Sequence, residues 1–127
     1  MARILIAEDE ESIRNLVARA LRQDGHEVLT ANDGAEALDV LVREKGAFEL
    51  LLTDIRMPVM DGIALALAAA RDHPDLTILL MTGYADQRER AHGLDALIHD
   101  VITKPFTPAE LRSAVTSALA AAERRKA

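Results

Sequence analysis

"LLTDIRMPVMDG", residues 51–62, sets one acid, Asp54, directly behind three residues that read as buried strand. An acid after a strand often only complements the N-terminus of the following helix. Here that helix starts later, near Asp61-Gly62, and this pair supplies its own turn and cap. Asp54 is therefore left over for chemistry.

Working outward, short runs rich in Ile, Val and Leu recur at Arg3–Ala7, Glu27–Ala31, 48–53, 76–81 and 98–103. Between them lie stretches of helical period. Ile13, Leu16, Val17, Ala20 and Leu21 form one stripe, and Leu38, Leu41 and Val42 a weaker one. The Ala-rich segment 63–71 has high helix propensity, and 86–93 is a shorter, more polar helix that Gly93 could end. The last helix opens on Thr107-Pro108-Ala109-Glu110, an N-cap threonine with Pro and Glu behind it. Its stripe is Leu111, Ala114, Val115, Ala118, Leu119 and Ala122.

Strict alternation of strand and helix predicts an α/β fold with parallel strands, right-handed crossovers and helices on both faces. The expected architecture is a flavodoxin-like (βα)5 domain over residues 1–127, with a five-stranded parallel sheet of order 2-1-3-4-5. In such sheets ligands bind beyond the carboxyl ends of the strands. Strand one ends in Glu8-Asp9-Glu10-Glu11 and strand three in Asp54. With those strands adjacent, Glu8, Asp9 and Asp54 converge in one cleft, where like charges demand a compensating cation. Mg²⁺, a hard ion that takes carboxylate oxygens and keeps several waters, meets that demand. Glu10 and Glu11 read instead as complements to the N-terminus of helix one. Thr82 ends strand four and Lys104 ends strand five, adding a hydroxyl and an ammonium at the same edge. Together these groups are what a phosphoryl site with its metal requires.

Composition narrows the alternatives. The 127 residues include no cysteine, which excludes disulfides and thiolate metal sites. A net charge of −6 argues against non-specific nucleic-acid binding, and two Phe, one Tyr and no Trp leave no base-stacking platform. No run reaches the length of a membrane span, and MARILIAEDEE turns acidic too soon for a signal peptide. The expectation is a soluble, cytoplasmic protein. His26, His73, His92 and His99 lack metal-ligand spacing. Arg124, Arg125 and Lys126 read as cations complementing the C-terminal dipole of the last helix.

The strings "AEDE", "LLTDIRMPVMDG", "MTG" and "TKPF", in this order and spacing, resemble the receiver domain of two-component response regulators, of the chemotaxis-regulator type. The resemblance covers essentially the whole chain. It implies a phosphoacceptor in a phosphorelay, with Asp54 receiving a phosphoryl group from a histidine kinase or histidine phosphotransfer protein. It also implies Mg²⁺ held by Asp9, Asp54 and the backbone carbonyl of Arg56, with Glu8 acting mostly through water. Thr82 and Lys104 would contact phosphoryl oxygens, and the Lys104-Pro105 bond would be cis. Such a protein is a signalling module rather than an enzyme, though Mg²⁺-dependent self-phosphorylation and self-dephosphorylation are expected of it.

Output would pass through a downstream protein, with a protease or an adaptor among the candidates, and not through direct contact with nucleic acid or membrane. "TDIRMPVMDGIALA" and "TGYA" are similar to CpdR-type regulators and to receivers of hybrid kinases. One departure stands out: Val101 occupies the position where many receivers carry an aromatic switch, and Tyr84 is the available substitute. Bulky Arg56 and Tyr84 side chains near the phosphoryl suggest restricted water access and slow self-dephosphorylation. An aspartate-nucleophile hydrolase would need a second acid at position 56, where Arg stands. A nucleotide or flavin carrier would need a glycine-rich loop after strand one, where acids stand. A receiver-shaped interaction module that acts without phosphorylation is the remaining alternative.

Overall fold

Strands that are apolar along their whole length must be covered on both faces. The computed structural model, which describes residues 2–83, 91 and 93–126, covers them in that way. The elements are β1 (Arg3–Ala7), α1 (Glu11–Gln23), β2 (Glu27–Ala31), α2 (Gly34–Arg43), β3 (Leu50–Asp54), α3 (Gly62–Asp72), β4 (Thr77–Thr82), β5 (Asp100–Thr103) and α4 (Pro108–Lys126). The sheet runs β2-β1-β3-β4-β5 with parallel pairing, the expected order. The helix expected over 86–93 lies outside the described residues, apart from Ala91 and Gly93. No helix among the described residues is long and apolar enough to cross a membrane.

Side-chain alternation along the strands divides the core in two. Ile4, Ile6, Leu50, Leu52, Leu79 and Met81 pack with Val17, Ala18 and Leu21 of α1 and Leu111, Val115 and Ala118 of α4. Leu5, Ala7, Leu51, Ile78 and Leu80 pack with Ala37, Val40 and Leu41 of α2 and Leu65, Ala66 and Ala69 of α3. Each fully buried Leu or Ile stabilises the fold by roughly 1.5–3 kcal/mol. The helix stripes differ from expectation at two positions: Leu16 and Val42 are exposed. Neighbouring helical residues are about 100° apart, so centring the buried stripe of α1 on Val17 and Leu21 turns Leu16 outward. Centring α2 on Ala37 and Leu41 does the same to Val42.

Caps fix the helix starts. Asp33 accepts from the Glu36 N–H at 2.8 Å and Asp61 from the Ala64 N–H at 2.9 Å. At α4 the expected box is complete: Thr107 Oγ1 accepts from the Glu110 N–H at 3.1 Å, and Glu110 Oε1 from the Thr107 N–H at 2.8 Å. Glu11 lies in the first turn of α1, whereas Glu10, the N-cap residue, makes no side-chain cap bond. Arg125 does more than complement a dipole, since it reaches the Thr77 hydroxyl at the start of β4.

The strand ends shift slightly from expectation. β3 starts at Leu50 and extends through Asp54, which lies opposite Met81 of β4. β5 starts only at Asp100, and the preceding His99 N–H donates to the Ile78 carbonyl at 2.7 Å. Ala7 is opposite Thr53, Thr53 opposite Leu80, and Thr82 opposite Thr103. That register brings the carboxyl ends of four strands to one edge.

Candidate functional site

At that edge Glu8, Asp9, Glu10, Ile13, Asp54, Arg56, Gly83 and Lys104 line an open cleft of about 560 Å³. Glu8, Asp9 and Asp54 each offer a carboxylate oxygen, and these oxygens lie within 4.8 Å of one another. Among the described residues this is the one group of His, Cys, Asp and Glu arranged to hold a metal ion. Lys104 Nζ donates to Glu8 Oε1 at 2.7 Å and to Asp54 Oδ2 at 3.1 Å. One ammonium against three carboxylates leaves the cleft two charges negative, and the all-oxygen donor set suits a hard divalent cation.

The acids differ in setting. The Glu8 side chain is fully buried, and Asp54 is only 9% exposed at its side chain, while Asp9 is exposed. The surrounding protein holds the Asp9 carboxyl above its ordinary 3.8, and the hydrogen bond and charge of Glu8 push the same way, with Lys104 pulling against them. For Lys104 burial works to lower the ammonium's pKa, but Glu8 and Asp54 outweigh it and the net shift is upward. The lysine stays charged in the cleft.

Backbone packing positions Asp54 tightly. The Gly62 N–H donates to the Ile55 carbonyl at 2.7 Å, and a Cβ on Gly62 would sit 2.0 Å from the Asp54 carbonyl oxygen. Only glycine permits that approach. Farther along the loop, the Gly34 N–H donates to the Met60 carbonyl at 3.1 Å, and a Cβ there would lie 2.3 Å from that oxygen. The loop after Asp54 is thus pressed against the starts of both α3 and α2. Sequence reasoning took Gly62 as a turn residue and missed this role; its signal was a glycine at the first helical position after a capping aspartate.

The other expected site residues fall at the same edge with one distinction. Thr82 is 2% exposed, and Gly83, not Thr82, lines the cleft. The Thr82 carbonyl accepts from the Lys104 N–H at 2.7 Å, so β4 fixes the root of the lysine. The Lys104-Pro105 peptide is cis, as the resemblance implied. Val101 is half-buried against the α2–α3 side of the core, whereas Tyr84 and His92 lie outside the described residues. Arg14 was not foreseen: its guanidinium donates to the Glu8 carbonyl at 3.0 Å.

Known proteins resemble this chain in sequence and in fold. CpdR, a response regulator receiver protein of Brucella abortus (strain 2308), is 39% identical over 122 residues, which span 96% of this chain and 100% of that one. The probable transcriptional regulator ycf27 of Porphyridium aerugineum is 36% identical over 117 residues, covering 92% of this chain but 48% of the relative. The chain spans about half the length of several relatives of that kind. Among solved structures, the response regulator TrrA of Thermotoga maritima, in complex with Mg(2+)-BeF, superposes with a TM-score of 0.81 at 32% identity, over 92% of this chain and 98% of that one. Residues 4–116 match the family model of the response regulator receiver domain, and the chain belongs to that family of two-component signalling modules.

Proposed function

We propose that Asp54 is the phosphoacceptor of this receiver and that its phosphorylation controls binding to a partner protein. The observation that carries the reading is the pairing of the Lys104 ammonium with Asp54 Oδ2 at the floor of a cleft that also holds the exposed Asp9. A carboxylate oxygen of Asp54 attacks the phosphorus of a phosphohistidine, the new O–P bond forming as the N–P bond breaks and its electron pair returns to the imidazole. The Lys104 ammonium then pairs with a phosphoryl oxygen. Such transfer asks mainly for positioning and charge stabilisation from the protein. Asp9, Asp54 and the backbone carbonyl of Arg56 would hold Mg²⁺, which when bound neutralises charge on the phosphoryl oxygens.

Thr82, buried at the end of β4, would be drawn to a phosphoryl oxygen through its hydroxyl. That pull, with the shift of Lys104, biases the loops after β4 and β5 and constitutes the switch. Arg56 lines the cleft and supports slow loss of the phosphoryl by limiting water; a half-life of seconds in Mg²⁺ buffer would refute that part. The donor is a histidine kinase or histidine phosphotransfer protein, and the setting is the cytoplasm. The likeness to CpdR, a response regulator receiver protein matched over its full length, supports the receiver reading.

The test is labelling by phosphoramidate with and without Mg²⁺. Wild type should take up one phosphoryl group in a metal-dependent manner, and Asp54→Asn none. Labelling of Asp54→Asn at the wild-type rate would overturn the assignment.

A further inference from the structure

Helix α3 carries no polar side chain from Gly62 to Ala70. Its inner side is accounted for, since Leu65, Ala66 and Ala69 fill the core. Its outer side is not: Leu67 is 46% exposed, Ala64 is exposed, and Ile63, Ala68 and Ala70 are half-buried. A helix on the surface of a globular protein turns polar residues to water, and one that is apolar all round belongs under cover. α2 packs alongside and extends the apolar surface. Val42, next to the buried Leu41, is 67% exposed, and Leu38, one turn earlier on the same side, is half-buried.

Charges on α2 say what covers this face. Asp39 and Arg43 are exposed, lie one turn apart, and follow Leu38 and Val42 around the helix by a single step of about 100°. Opposite charges four residues apart can pair on a helix, yet no ion pair among the described residues includes either side chain. Both helices start at the carboxyl edge of the sheet and run the same way. Asp39 and the exposed Glu36 therefore lie toward that edge, and Arg43 toward the opposite one. Such a surface complements itself. A two-fold axis across the middle of the helices sets α2 against α2 and α3 against α3, antiparallel. Leu67 then meets its own copy, Val42 meets Leu38, and Asp39 of each copy meets Arg43 of the other, so every contact is made twice.

We propose that the α2–α3 face joins two copies of this chain in a two-fold symmetric dimer. The helices are short, ten and eleven residues. The area they can bury is near the low end of specific interfaces, about 1,200 Å² in total, so association is weak and depends on concentration. It does not depend on phosphorylation of Asp54.

Sedimentation equilibrium of the metal-free protein measures it. Wild type should pass from monomer toward dimer between about 10 μM and about 1 mM, the range suited to a small interface. A monomer throughout would overturn the proposal. Leu67→Glu should abolish the dimer, and a dimer that survives it would place the contact elsewhere. The charges separate a lost interface from a misfolded variant. Asp39→Arg sets base against base at both contacts and Arg43→Asp sets acid against acid, so each alone should dimerise at least about tenfold more weakly than wild type. Mixed one to one, the two variants place an acid opposite a base at both contacts, and their heterodimer should regain wild-type affinity within about threefold. A mixture that associates no more tightly than either variant alone would overturn the two-fold pairing.

Discussion

Lys104 Nζ lies 3.1 Å from Asp54 Oδ2, joining residues fifty positions apart in the chain. The same ammonium is 2.7 Å from Glu8 Oε1, so a single positive charge bridges the two most buried acids of the cleft. Replacing it with methionine leaves both without a counter-charge. Breaking a buried pair in this way costs about 3 kcal/mol. Denaturant melts of Lys104→Met should show that loss in metal-free buffer, and Mg²⁺ should restore part of it. The pH dependence has a definite sign. The ammonium's pKa is raised in the folded protein, so its stabilisation is complete below the ordinary lysine value of 10.5 and is lost as pH rises beyond it. Wild type should lose stability above that pH more steeply than Lys104→Met.

Metal affinity should fall with acid earlier than an ordinary aspartate would dictate. Partial desolvation by the protein around the exposed Asp9 raises its carboxyl above 3.8, and Glu8 adds to the shift. A proton and a cation compete for the same oxygen. Mg²⁺ titrations by calorimetry should therefore weaken as pH drops through a window that opens above 3.8, and Asp9→Asn should remove the dependence along with most of the affinity. For the metal-free protein the sign is opposite: a raised carboxyl pKa makes Asp9 least favourable to folding when ionised, so its contribution worsens as pH rises through that window.

Gly62→Ala tests the close approach behind the site. The added Cβ would meet the Asp54 carbonyl oxygen at 2.0 Å, a backbone atom that cannot yield without moving β3. The expected cost is about 3 kcal/mol, in the range of severe overpacking, together with weaker Mg²⁺ binding because Asp54 is displaced. A thermal melt and a metal titration on the same sample would measure both.

Val59 offers the opposite case. It sits at φ 69° with 85% of its surface exposed, so a β-branched residue holds a left-handed conformation without packing in return. Val59→Gly should stabilise the fold by about 1 kcal/mol, the relief of the left-handed penalty less the added chain entropy of glycine. Chemical denaturation would show it as a higher midpoint at unchanged slope.

How much of this was legible in the sequence depends on whether the signal was local. The parallel sheet followed from unbroken apolar runs and strict alternation, while its strand order was taken from the flavodoxin-like fold that this alternation matches. The cap at Thr107 and Glu110 was readable because all its partners lie within four residues. The convergence of Glu8, Asp9, Asp54 and Lys104 was readable because each ends a strand and the fold aligns strand ends. What escaped was set by packing across distance. Leu16 and Val42 have the right spacing for a buried stripe, but the tilt of each helix against the sheet decides which neighbours are covered. Arg14 on the Glu8 carbonyl and Gly62 against the Asp54 carbonyl are contacts to backbone, which leave no complementary residue type to notice. The burial of Thr82 beside the cleft-lining Gly83 is likewise a matter of side-chain direction at a strand end.

The most direct measurement is chemical trapping of the phosphorylated side chain. After reaction with phosphoramidate and Mg²⁺, borohydride reduces an aspartyl phosphate to homoserine, which peptide mass mapping locates by position. Homoserine should form at residue 54, and only when metal was present during phosphorylation. Reduction at Asp9 instead, or at no residue of the cleft in protein that carries phosphoryl, would contradict the account.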